Sequence, residues 1–322
     1  MLDYDQTYFG CGNKVPAYSL KSLLDESDYS FLVPDNNIVK INGEFLVSSI
    51  DTVFPFTSDI ALFAKATVLH CANDLFASGV NPIQANVSIG VSASLDINEI
   101  KKLFNNLKEA LNDREIDSCN YHTFRADQTS VTIAMNGTAK ELKPKARLNG
   151  GNYDIFLTKP IGCWATQKHR TGHANLCAEQ LLLESNSIWL DFIQSELVKY
   201  STDISGFGLI GHIASLLESQ QYCASLDLGR IISPLNLDFA NIEHYLGCSA
   251  KSNLESFGAC VSSVERLNDI VLDVLFGGEI NGPILMIVEQ GAELGKWFDK
   301  LIHIGTASPH VSTKNQIIKV RD

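Results

Sequence analysis

The sequence predicts two mixed α+β (α/β) domains, residues 1–150 and 151–322, on three observations. Segments of period-two apolar character alternate with segments of helical period along the whole chain, as expected for sheets layered with helices. At 322 residues with 45% hydrophobic side chains, the chain is long enough to bury two ordinary cores. A polar, basic, glycine-rich stretch, Lys143-Pro144-Lys145-Ala146-Arg147-Leu148-Asn149-Gly150-Gly151-Asn152, interrupts it near the middle as a linker would.

The elements follow in order. Two β-rich runs, Ile38-Val39-Lys40-Ile41 and Phe45-Leu46-Val47-Ser48-Ser49-Ile50, flank Asn42-Gly43, the strongest short hairpin signal. A helix over about 59–78 carries Leu62, Ala66, Leu69 and Phe76 on one face and stops at Gly79 and Pro82. A strand over 83–91, an amphipathic helix over 97–111 and a strand over 130–135 complete the first half. In the second half the pattern predicts a strand at 155–158, a long helix near 178–200, and a glycine-hinged turn at Asp203 leading into a helix with Leu209, Ile210, Ile213, Leu216 and Leu217 on its apolar face. Strands are expected at 224–228, 284–289 and 301–304.

Composition narrows the function. A formal net charge of -12 and the lack of any basic run argue against a nucleic-acid surface. No apolar stretch reaches the roughly 20 residues that span a bilayer, and the first residues are acidic and polar where a signal peptide is basic then apolar, so a cytoplasmic protein with no membrane partner is expected. The eight cysteines include no C-x-x-C pair, so neither a zinc framework nor a disulfide scaffold is suggested.

Four aspartates fall where a strand or helix ends: Asp35, Asp51, Asp74 and Asp203. Two bare carboxylates about 4 Å apart repel by roughly 4 kcal/mol at an effective dielectric near 20, so a converging set calls for a cation. Mg²⁺ is the usual one where phosphates are also present. Each aspartate also reads as a turn or cap residue, and Asp203 or Ser205 as the cap of the following helix. In Phe9-Gly10-Cys11-Gly12-Asn13-Lys14 a thiol and an ammonium share a glycine-flexed loop, and the lysine raises the thiolate fraction. Walker-type phosphate loops are absent, as is G-x-G-x-x-G after a strand.

These motifs together resemble the selenophosphate synthetase (selenide, water dikinase) family, of the aminoimidazole ribonucleotide synthetase-like (PurM-like) superfamily. Ser201-Thr202-Asp203-Ile204-Ser205-Gly206-Phe207-Gly208-Leu209-Ile210-Gly211-His212 is similar to the family's Thr-Asp-Val-Thr-Gly-Phe-Gly-Leu-Leu-Gly-His motif. Cys11-Gly12-Asn13-Lys14 resembles its Cys-Gly-Cys-Lys loop, Ser49-Ile50-Asp51 its Thr-Thr-Asp, and Asn73-Asp74-Leu75-Phe76-Ala77-Ser78-Gly79 its Ser-Asp-Ile-Tyr-Ala-Met-Gly. Asp35 aligns with the second aspartate of its Arg-Asp-Asp-Ala-Ala if one residue is gapped. The resemblance implies a two-domain fold whose first domain dimerises through its sheet, Mg²⁺ on Asp35, Asp51, Asp74 and Asp203, nucleotide contacts from Lys14, Asp51 and Asp74, and catalysis by Cys11 and Lys14. ATP and selenide are then the substrates.

Several positions depart from the family pattern. Leu32-Val33-Pro34 replaces Thr-Arg-Asp, and Asn120-Tyr121-His122-Thr123 replaces the Gly-Gly-His-Ser of a nucleotide-contacting loop, where Asn120, Tyr121 and His122 are the nucleotide candidates. Gly277-Gly278-Glu279-Ile280-Asn281-Gly282-Pro283 replaces Asp-Pro-Gln-Thr-Ser-Gly-Gly and is expected to face substrate. A non-catalytic nucleotide- or selenium-binding paralogue, or another ATP-dependent enzyme of the superfamily, stays open beside the dikinase.

Overall fold

The computed structural model describes residues 15, 36–142, 148–162, 179–235, 246–309 and 317–321. Its first sheet begins with the expected hairpin. β1 (Asn37–Ile41) and β2 (Glu44–Val53) pair antiparallel across Asn42 and Gly43, whose φ values of 51° and 90° are those a two-residue primed turn demands. β3 (Gln84–Val91), β4 (Asp117–Arg125) and β5 (Ser130–Ala139) complete the sheet in the order β1-β2-β5-β3-β4. β3 and β4 run parallel, joined by helix α2 (Ile97–Asn112), whose Asp96 and Glu99 form a capping box.

Helix α1 (Ile60–Ala77), between β2 and β3, is apolar on nearly every face. A helix of that kind must be enclosed, and here it lies between the two sheets. It is long and apolar enough to cross a membrane by length and composition alone, yet 78% of it is buried inside the protein.

The second sheet comprises β6 (Tyr153–Leu157), β7 (Val198–Asp203), β8 (Tyr222–Asp227), β9 (Val261–Ser262), β10 (Ile284–Glu289), β11 (Ile302–Pro309) and β12 (Ile318–Arg321). Their order is β7-β10-β6-β11-β8-β12-β9. Alternate residues of β10 enter different cores. Ile284, Met286 and Val288 join α1 and the first sheet, whereas Leu285 and Ile287 pack with α3 (Gly208–Gln220) and α5 (Asp269–Phe276). Helix α4 (Cys248–Phe257) completes that outer layer. The layers therefore run first sheet, α1 and α2, second sheet, then α3 to α5, and one core joins the first sheet to the second through α1.

The long helix expected near 178–200 is not continuous. Helix from residue 179 ends at 183, a 3-10 turn covers Asn186–Trp189, a single turn covers Leu190–Ile193, and β7 follows. Thr158 and Asn73 engage the Asn186 amide within the core, and from Val198 the chain pairs with β10, Val198 entering one core and Tyr200 the other across a register shift at Lys199. Residues 120–123, expected as a loop, lie inside β4. Asn120 and His122 turn toward a sheet face that no helix among the described residues covers, so the strand carries little apolar pattern.

Leu75 is fully buried in the core that joins the two sheets through α1. Leu75→Ala is expected to cost about 2–5 kcal/mol, read as a lower urea midpoint with an unchanged slope.

Candidate active site

The site is organised around the end of β7. Asp203, paired in register with Ile284 of β10, is 1% exposed. Beyond it the chain turns under continuous support. Ile204 N–H donates to Pro283 O at 2.8 Å, Glu279 N–H to Ser205 O at 3.1 Å, and Ser205 N–H to His212 Nε2 at 3.2 Å. In that last bond His212 Nε2 is the acceptor. Gly208 adopts φ +67°, and a Cβ there would stand 2.6 Å from Phe276 O. The glycine is needed for both conformation and space. Neither Asp203 nor Ser205 caps α3: the N-cap is Phe207, with no side-chain cap bond. Asp203 is thus the buried terminus of a strand, and the cap reading is set aside.

Asp74 sits near the end of α1, 9% exposed. Three contacts fix its surroundings. Ser201 Oγ donates to Ala77 O at 2.6 Å, which lays β7 along the last turn of α1 with Asp203 two residues further on the same strand face. Asn36 Nδ2 donates to Asp74 O at 3.1 Å and reaches Ser78 Oγ, tying the entry to β1 onto the same turn. The third contact is a buried asparagine cluster. Asn73 Nδ2 donates to Asn281 Oδ1 and Gly282 O, both at 3.1 Å, and Asn73 Oδ1 accepts from Asn186 Nδ2 at 3.0 Å. Asn186 Nδ2 also reaches Gly282 O, and Thr158 Oγ1 donates to Asn186 Oδ1 at 2.8 Å. Asn281 completes its set with bonds from Nδ2 to Leu182 O and Glu184 O and from its N–H to His70 Nδ1.

Residues 277–283 are therefore not a substrate-facing surface. Every one of them is buried, and they form the seam between α1 and the second sheet. Gly282 is held there by space, since a Cβ would stand 2.0 Å from Ile204 O. Asn73 and Asn281 meet each other in this seam. Lys159, which the sequence did not single out, is 2% exposed and holds Leu181 O and Glu184 O at 3.1 and 3.0 Å. Its ammonium is a strut of the seam.

The remaining candidates are spread more widely. Asp51 is half-buried on β2, on the face toward α1, two residues from Ser49, whose Oγ lies 3.5 Å from Cys71 O. Asn120, Tyr121 and His122 do not converge. By register Asn120 and His122 share the uncovered face with Asn86 and Ser88, while Tyr121 turns inward against Phe104, ring centroids 5.2 Å apart. The pattern of a strand separates neighbours that a loop could have gathered. Cys11, Lys14 and Asp35 lie outside the described residues, as do positions 32–34.

Among the described residues no group of three or more His, Cys, Asp or Glu side chains stands ready to hold a metal ion. Mg²⁺ seldom uses such a cage and is held by one or two carboxylates plus substrate phosphates, so the all-oxygen set of Asp51, Asp74 and Asp203 fits that ion in its chemistry. A cavity of about 520 Å³ opens one turn beyond Asp74, lined by Asn36, Ala77, Ser78, Tyr200 and Ser201 among others.

Comparison with known proteins places this fold. Residues 34–139 match the family model "AIR synthase related protein, N-terminal domain". The selenide, water dikinase of Aeromonas salmonicida is 25% identical over 305 residues, covering 88% of this chain and 87% of the relative. Thiamine monophosphate kinase from Aquifex aeolicus superposes with a TM-score of 0.67 at 14% identity, covering 94% of this chain and 97% of that one. The hydrogenase maturation protein HypE in complex with ATP superposes with a TM-score of 0.57 at 13% identity, over 96% and 92% of the two chains. The chain thus has the mixed α/β fold that these proteins share.

Asn73→Ala would leave one N–H of Asn186 and Oδ1 of Asn281 without their partners inside the core. A cost of about 3 kcal/mol or more is expected. In a double-mutant cycle with Asn281→Ala, the pair is expected to cost less than the sum of the singles by about 0.5–3 kcal/mol; simple additivity would deny that the two side chains act together.

Proposed function

We propose that this chain is a selenide, water dikinase, converting selenide, ATP and water into selenophosphate, AMP and orthophosphate. The observation that carries this reading is Asp203, a buried carboxylate at a strand end that is laid against the Asp74 turn of α1 by the Ser201 bond to Ala77 O. The 25% identity to a selenide, water dikinase, against 14% to thiamine monophosphate kinase and 13% to HypE, supports the same reaction over a neighbouring one. The burial of residues 277–283 supports it further, because their departure from the family pattern alters a structural seam and strips no substrate loop.

In this reading Asp74 and Asp203, with Asp51 and Asp35, would hold Mg²⁺ on the triphosphate. The ion would supply charge neutralisation of the phosphate oxygens. The chain's own contribution is position. The seam fixes the α1 turn against β7, so the carboxylates do not reorganise when the nucleotide arrives, and preorganisation of this kind is the main protein contribution to phosphoryl transfer. Lys14 would face phosphate oxygens and Cys11 would hold or deliver selenide, its thiolate favoured by that lysine. Asn120 and His122 lie on the sheet face turned away from Asp51 and α1, so in this reading they stand apart from the triphosphate site. Ile50 is 68% exposed on that face, beside Val39 and Ile41, and a second copy of the chain covering it would form the homodimer.

Incubation with ATP, Mg²⁺ and selenide, followed by phosphorus NMR, tests the proposal. Selenophosphate appearing with AMP is expected. ATP that binds but is not consumed would favour a non-catalytic paralogue instead. Asp203→Asn and Lys14→Ala are each expected to lower the rate by about 10²- to 10³-fold, the usual loss for one preorganised electrostatic group. A variant retaining nearly the parent rate would take its residue out of the mechanism, and normal selenide turnover by Cys11→Ser would make the thiol dispensable.

A further inference from the structure

A second cavity, of about 550 Å³, lies at the opposite end of α1. From Ile60 to Asp74 is fourteen residues of helix, or about 21 Å at 1.5 Å per residue, so the cavity stands well apart from the carboxylates of the proposed phosphate site. Its position is that of a ligand crevice. β2 and β3 both pair antiparallel with β5, and β4 runs parallel to β3, so all three strands end at the same edge of the sheet. The loops that leave them supply Phe54, Phe56, Ser92, Ser94 and Asp127, and both α1 and α2 begin there. Open α/β sheets place ligands beyond the carboxyl ends of their strands in this way, and the volume is within the range of small-molecule sites.

The lining selects the chemistry. Phe56 and Phe63 meet edge to face at 5.9 Å, and Phe63 with Leu103 forms a buried apolar bed. Two helix N-termini would ordinarily invite an anion. Here their amides are already committed. Asp59 Oδ1 accepts from Ala61 N and Leu62 N, and Asp59 O from Phe63 N. Asp96 Oδ1 accepts from Asn98 N and Glu99 N, and Asp96 O from Ile100 N. Among the described residues the lining contains Glu99 and Asp127 and no Lys, Arg or His, so a phosphate or carboxylate entering it would meet two like charges and no cation from them.

We propose that this cavity is a second ligand site, separate from the nucleotide site, for a small planar aromatic ring that bears an amino or ammonium group and no phosphate. The ring would lie against Phe56 and Phe63, and the positive group would face Glu99 and Asp127. The argument uses the first sheet alone and stands whether or not the dikinase reading holds.

Calorimetric titration of the whole chain with two indoles of similar size and opposite charge, tryptamine and indole-3-propionate, tests it. Tryptamine is expected to bind at least about tenfold more tightly. Saturating ATP with Mg²⁺ is expected to leave its affinity unchanged. Glu99→Gln combined with Asp127→Asn should erase the preference between the probes while keeping the capping acceptor at position 99, and Phe56→Ala should weaken both. Equal affinity for the two probes, preference for the carboxylate, no tryptamine binding up to about 1 mM, displacement by ATP, or an unaltered Phe56→Ala variant would each overturn the proposal.

Discussion

The architecture depends on one buried polar contact, the asparagine seam of Asn73, Asn186 and Asn281 around the carbonyl of Gly282. A helix as apolar as α1 could slide between two apolar sheets at little cost, because hydrophobic contact has no direction. Amide groups do have direction. Sealed from water, each must meet its partner or cost about 1–3 kcal/mol, so a displaced α1 would leave several orphans at once. Against a total stability of about 5–15 kcal/mol, that penalty is enough to select one register. The seam therefore converts a greasy interface into a specified one.

The candidate chemistry inherits that specification. Asp74 is the residue after Asn73, and Asp203 ends the strand beside β10, which itself follows directly from the Gly282 end of the seam. Lys159, Glu279 and His70 extend the same support through backbone groups of 181–184, 162 and 281. Asn73 and Asn281 are bonded to each other, and that bond helps to hold the α1 turn that carries Asp74.

What the sequence made legible follows the same physics. The Asn42-Gly43 hairpin, α1 and the amphipathic helix from Ile97 were all readable, because turn chemistry, stop signals and apolar periodicity are local properties. β4 was not, since Asn120 and His122 interrupt its apolar pattern on a face that no described helix covers, and its pairing is with a strand distant in sequence. The break before β7 was hidden for a related reason: Asn186 looks like an ordinary helix residue until Thr158 and Asn73 claim its amide. Asp74 and Asp203 were singled out by their places at the ends of a helix and a strand and by the resemblance of the segments around them, and both are buried. The role of residues 277–283 was missed because glycines and a proline read as a loop, and nothing local says that a loop is buried. A Gly that tolerates no Cβ and an Asn five residues past a buried helix are weak signals alone. Only their contact gives them meaning.

Native-state hydrogen exchange, read residue by residue, tests the central claim that the seam makes the two sheets and α1 one cooperative unit. If it does, the amides of Asn281 and Ile284, bonded to His70 and Thr158, will exchange with the same free energy as the amides of α1 and equal to that of global unfolding. Exchange of the seam amides through a separate, much cheaper opening, with α1 still protected, would contradict it.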